Sequence, residues 1–174
     1  MVRRRRTPPA RKPRPSRRHR RLGSRTRHLQ RTRTRYRENT PLTVTALVLD
    51  AGALIALDRN DREVWAMLRV AADDSSIVQV PAGAIGQAWR HGARQALLAR
   101  ALRHCDEVAL EGTTARAAGL LCGKTSTADV IDASIAIAAA VLSRTEHVVV
   151  LTSDRDDIAL LAAELRATVQ IEVV

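Results

Sequence analysis

The sequence predicts an α/β domain in three layers, with helices on both faces of a central parallel sheet of about five strands. Short runs rich in Val, Ile and Leu alternate with longer stretches of helical character from Val44 to the last residue. The strongest runs, VTALVL and VVVL, are apolar at nearly every position, as in strands covered on both faces. The apolar material of this region is Ala, Val, Leu and Ile, with no Phe in the chain, which suits small-residue helices packed on such a sheet.

The elements follow in order. Val44–Leu49 reads as the first strand, and Ala51–Arg59 and Asp61–Ala72 as two helices parted near Asn60. Ile77–Val80 is the second strand. Pro81 suits the first position of a helix over Ala82–His91, where the amide that proline lacks is not needed. After Gly92 the pattern predicts a helix over Ala93–His104, a strand at Val108–Leu110, and a helix over Thr113–Cys122 closed by Gly123. Ser126 opens a strongly apolar helix to about Leu142. His147–Leu151 is the fourth strand, Asp154–Arg166 a helix and Val169–Val173 the fifth strand. Trp89 is expected in the core.

Charge divides the chain into an Arg-rich tail, residues 1–41, and a domain, residues 42–174. The tail holds 17 Arg or Lys against one acid, Glu38, a net of +16. The other 12 basic and 17 acidic residues leave the domain at −5, so the basic balance of the whole chain belongs to the tail. Four prolines in the first fifteen positions and dense like charge predict that the tail is disordered, an arm suited to nonspecific contact with nucleic-acid phosphates. A second reading places the true start near Val44, since GTG serves as a bacterial start codon, and leaves 1–41 untranslated. The intact mass of the native protein separates the two.

Several classes are set aside. The apolar stretch from Leu42 to Leu57 is split by Asp50, so no membrane span is expected. The basic region is far longer than that of a signal peptide, and a cytoplasmic location is expected. Cys105 and Cys122 lack metal-type spacing and read as reduced, buried thiols. His91, His104 and His147 are scattered without nearby ligands, so zinc is not indicated. The domain has too few aromatic rings for a platform of stacked bases.

Ligands of parallel α/β sheets bind beyond the carboxyl ends of the strands. Asp50 ends the first strand in LVLDAGALIAL, where Gly52 is expected to give the chain freedom to turn into the helix. Asp154 ends the fourth strand in VVVLTSD and also suits the cap of the next helix. Asp129, three residues after Ser126, fits a capping box. Asp132 lies too far inside that helix to cap it and is surrounded by Ile and Ala, where a lone carboxylate is costly. Two such charges about 4 Å apart repel by roughly 4 kcal/mol at an effective dielectric near 20. A hard divalent cation removes that cost, which makes Mg²⁺ or Mn²⁺ the expected cofactor.

The segments VLDAGALIALDR, VPAGAIGQAWRHG, STADVIDASIAIAA and VVLTSDRDDIALL, in this order, resemble the PIN-domain family, in particular VapC-type toxins of bacterial toxin–antitoxin pairs. The resemblance covers residues 44–174 and none of the tail. It implies a PIN-like three-layer fold and a metal-dependent endoribonuclease that cleaves RNA, such as tRNA or rRNA, through a metal-activated water. The products would carry a 5′-phosphate and a 3′-hydroxyl.

The implied catalytic residues are Asp50, Asp132 and Asp154, with Asp129 a further metal ligand and Asp156 and Asp157 extra acids. The family's second acid falls on Gln87, which offers a carbonyl oxygen without charge. That departure bears on how many metals are held. The resemblance also implies a cognate antitoxin protein and a homodimer. Arg90 and Arg94 are candidate phosphate contacts.

Two alternatives remain. One is a catalytically weak PIN-like module that binds RNA or protein. The other is a nucleic-acid binder driven by the tail alone. A dehalogenase-type phosphatase is disfavoured, because the second acid of its D-x-D motif is replaced by Gly52.

Overall fold

The computed structural model of the chain describes residues 45–127 and 129–174. The expectations for residues 1–41 therefore lie outside the described residues. Five strands form one all-parallel sheet: β1 (Ala46–Leu49), β2 (Ile77–Pro81), β3 (Asp106–Val108), β4 (Val148–Thr152) and β5 (Val169–Val173), in the order β3-β2-β1-β4-β5. Seven α-helices among the described residues join them: α1 (Ala51–Asp58), α2 (Arg62–Asp73), α3 (Ala82–Ala88), α4 (Ala96–Leu102), α5 (Gly112–Thr125), α6 (Val130–Leu142) and α7 (Arg155–Glu164).

Every residue of β1 and β4 is buried. Successive strand residues point to opposite faces, so both faces of the sheet centre are covered, as the unbroken apolar runs predict. The edge strands β3 and β5 alternate or lose that burial. Leu49, Leu54, Leu57, Leu98, Leu151 and Ile158 are fully enclosed in the main core. Each such side chain contributes about 1.5–3 kcal/mol relative to exposure. A second cluster of Ala118, Leu121, Cys122, Ala133, Ala136 and Leu161 packs α5, α6 and α7 together, with alanines letting the helices approach closely. No single helix among the described residues is long and apolar enough to cross a membrane.

The structure moves several predicted boundaries. Pro81 is the last residue of β2 and the N-cap of α3, not its first helical residue, and α3 ends at Ala88, three residues early, where Trp89 turns extended. The predicted helix over Ala93–His104 is a 3₁₀ turn, Gly92–Arg94, followed by α4 from Ala96. The buried side chain of Gln95 is the reason. Its Oε1 accepts from the amides of Arg90 and His91, both at 2.8 Å, and its Nε2 donates to Ala88 O at 3.0 Å. These bonds satisfy backbone groups that a continuous helix would have paired. Trp89 is 39% exposed and not a core residue.

The third strand lies at Asp106–Val108, two residues before its expected place, where it pairs with Gln79–Pro81. Helix α5 runs through Gly123 and stops at Ser126, whose φ of 60° is left-handed. Ser126 thus closes one helix and does not open the next. Both cysteines are free thiols, and burial and the neighbouring Asp106 and Glu107 push Cys105 up to about 12.

Candidate metal-binding acidic site

The strand order places the topological switch between β1 and β4, since the chain leaves β1 toward β2 on one side and returns to β4 on the other. Asp50 follows β1 at that switch. Its amide donates to Leu151 O at 3.0 Å, which ties the strand ends together. The carboxylate is buried. One oxygen accepts from the Ala51 amide as the N-cap of α1, and the other accepts from the Thr152 hydroxyl at 2.7 Å.

Thr152 is fully buried at the end of β4, and its Oγ1 also accepts from the Asp154 amide at 2.9 Å. One hydroxyl therefore sets the positions of two acids from separate parts of the chain. The sequence reading passed over Thr152, although a hydroxyl residue two places before an acid at a strand end is a visible signal.

Gly52 meets a different need from the one expected. Its φ is not positive. A Cβ there would lie 2.8 Å from the Ser153 amide nitrogen, so the start of α1 passes too close to the β4–α7 loop for any side chain.

Asp154 is exposed and caps α7, accepting from the Asp157 amide at 3.2 Å. Asp129 is itself the cap of α6, accepting from the amides of Ile131 at 2.7 Å and Asp132 at 3.2 Å. The capping box with Ser126 is not formed. Asp132 is the third residue of α6, in its first turn, not deep in the helix as its sequence position suggested.

Asp132 is half-buried. Its carboxyl is pushed up to about 7, first by burial and then by the charges of Asp129, Asp50, Asp157 and Asp154. Carboxylates from three segments of the chain thus act electrostatically on one group. Among the described residues the one ion pair joins Lys124 to Glu164 at 3.4 Å, and no cationic side chain pairs with these five acids.

Gln87 is half-buried on α3, which packs against α1 and α6. No hydrogen bond among the described residues joins its amide to the carboxylates. Asp156 is exposed and does not contribute to the shift at Asp132.

By donor type and charge the five acids suit a hard divalent cation. As they stand, no three acid, imidazole or thiol groups among the described residues are close enough to share one ion directly. Asp129 and Asp154 instead face their helix amides. Each carboxylate oxygen keeps a second lone pair, so capping does not exhaust its capacity to accept.

No protein-family model matches the chain, and no curated protein matches it. Among solved structures, a chain of the "Crystal structure of VapBC2 from Rickettsia felis bound to a DNA fragment from their promoter" is similar, with a TM-score of 0.50 and 12% sequence identity. The match covers 74% of this chain and 98% of that one. The protein shares its five-stranded α/β fold with a component of that complex.

Proposed function

We propose that the chain is a metal-dependent endoribonuclease of the VapC-like PIN type, the toxin of a toxin–antitoxin pair. The carrying observation is Asp132, half-buried in the first turn of α6 and pushed up to about 7 by burial first and then by the charges of Asp129, Asp50, Asp157 and Asp154. The fold shared with a chain of VapBC2 supports the same reading.

In this proposal Asp50 and Asp132 would hold Mg²⁺ or Mn²⁺, with Asp129 and Asp154 as further ligands. The ion would supply a water acidic enough for in-line attack and offset charge on the phosphate. Thr152 keeps Asp50 and Asp154 in place. A bound cation would favour the charged form of Asp132 against its burial and the charges of its neighbours. Gln87 orients the attacking water through its neutral amide. A small antitoxin protein covers the acidic face, and two copies of the chain form a homodimer.

Labelled RNA incubated with the full chain in Mg²⁺ or EDTA tests the proposal. Mg²⁺-dependent cleavage should fall by about 100-fold or more in Asp132→Asn. Retained cleavage in that variant, or cleavage indifferent to EDTA, would refute it. A second reading, a module that binds RNA without cutting it, is favoured by Gln87 and by the aspartates turned to their caps. RNA bound but left intact by the wild-type chain would select it.

A further inference from the structure

A cleft of about 550 Å³ opens between α2 and α4, away from the residues assigned to the acidic site. Its walls carry Arg62, Arg69, Arg100 and His104 around Trp65, with Asp73 as the one acid. Trp65 is half-buried and its ring is fixed by an Nε1 hydrogen bond to Leu57 O at 2.9 Å. The Arg100 guanidinium lies 5.4 Å from the ring centroid. The three arginines are exposed, and none has an ion-pair partner among the described residues. Residues 42–174 are acidic in sum, yet this cleft is basic with its arginines unpaired. Like charges gathered around one concavity repel unless an anion joins them.

The cleft also has a route to the acids. It reaches Asn60 in the turn between α1 and α2. A second cleft, of about 420 Å³, touches the same turn at Arg59 and Asp61, and its other wall is Gly52 and Ser153. Gly52 and Ser153 are chain neighbours of the Asp50, Thr152 and Asp154 group. Arg62 is three positions after Arg59, so their Cα atoms are at most about 11 Å apart. A chain of phosphates leaving the acidic site over this turn would meet Arg59 and then the larger cleft.

We propose that the α2–α4 cleft binds single-stranded RNA a few nucleotides from the acidic site. Arg62, Arg69 and Arg100 would take phosphates, and Trp65 a base. Guanidinium forks match phosphate oxygens in pairs, and an indole face accepts any base. An acidic peptide matches the charge, but only one with an aromatic residue at the right place would also stack on Trp65, whereas every nucleotide carries a ring beside each phosphate. The choice of RNA rests on the ribonuclease reading, whereas the charge of the cleft does not.

Trp65 reports on the cleft directly in a full chain carrying Trp89→Phe, because Trp65 and Trp89 are the two tryptophans. Octauridylate in EDTA is expected to change Trp65 emission saturably. Arg62→Gln with Arg69→Gln should weaken that response about tenfold and lower its salt slope by about 1.4, with Arg100 left to keep the indole environment. Unchanged emission, whether or not the oligonucleotide binds elsewhere on the chain, overturns the proposal. So does a double variant that responds like its parent, or a stronger response to octaglutamate. Cleavage assays in Mg²⁺ separate the two claims. Lost cleavage with the Trp65 response intact refutes the nuclease and leaves the cleft, and cleavage with a silent Trp65 refutes the cleft alone.

Discussion

Thr152 shows how much of the site depends on one buried hydroxyl. Its proton goes to Asp50 and its lone pair receives the Asp154 amide. Thr152→Val keeps the shape and removes both bonds, leaving a buried carboxylate oxygen without its side-chain donor. The expected loss is about 1–3 kcal/mol in urea unfolding, with Thr152→Ser close to wild type. Equal stability of the Val and Ser variants would show that the hydroxyl does not hold the acids.

Asp50 and Asp154 were legible because each follows a strongly apolar strand run. Thr152 is legible only from its spacing, two places before Asp154 at a strand end, because its composition alone is that of an ordinary β-branched strand. Gly52 was legible as special but for the wrong reason. A close approach across 101 residues leaves no local mark that distinguishes it from a turn.

At the scale of elements, the stretch from Ala82 to Leu102 was hardest to read. Its Ala-rich composition suits a helix throughout, and nothing local announces that Gln95 turns inward to bind Ala88 and the Arg90 and His91 amides. Gln95 is 7% exposed, and its Nε2 also donates to Asp58 at 3.2 Å, which fastens α1 to this corner. Gln95→Ala would strand several buried groups, with an expected cost of about 2–3 kcal/mol and faster amide exchange at Arg90 and His91. A variant as stable as wild type, with unchanged exchange, would mean that the 3₁₀ turn holds without the amide.

The α5–α6 corner failed differently. Ser126 and Asp129 match a capping box, but Ser126 is left-handed at the end of α5 and only Asp129 caps α6. That shift brings Asp132 into the first turn of α6. There the free amides favour a carboxylate while the neighbouring acids oppose it.

For the molecule as a whole, the all-parallel sheet could be read from the alternation of apolar runs and helices. Its strand order could not, because periodicity carries no information about which strands are neighbours. That order creates the β1–β4 switch, where Asp50 and Asp154 come together. The role proposed for the acids around Asp132 is to hold a divalent cation.

Thermal unfolding of the full chain and of Asp132→Asn across pH, with and without Mn²⁺, tests that claim most directly. The folded chain keeps a proton on Asp132 up to about pH 7, whereas the unfolded chain releases it near 3.8, so stability falls as pH rises through that window. Without the ion, wild type should lose stability relative to the variant between those pH values, by about 1 kcal/mol after allowance for the half-exposed carboxyl. At neutral pH, Mn²⁺ should raise the unfolding temperature of wild type and leave Asp132→Asn almost unmoved. Parallel pH curves with equal shifts by Mn²⁺ in both proteins would contradict it.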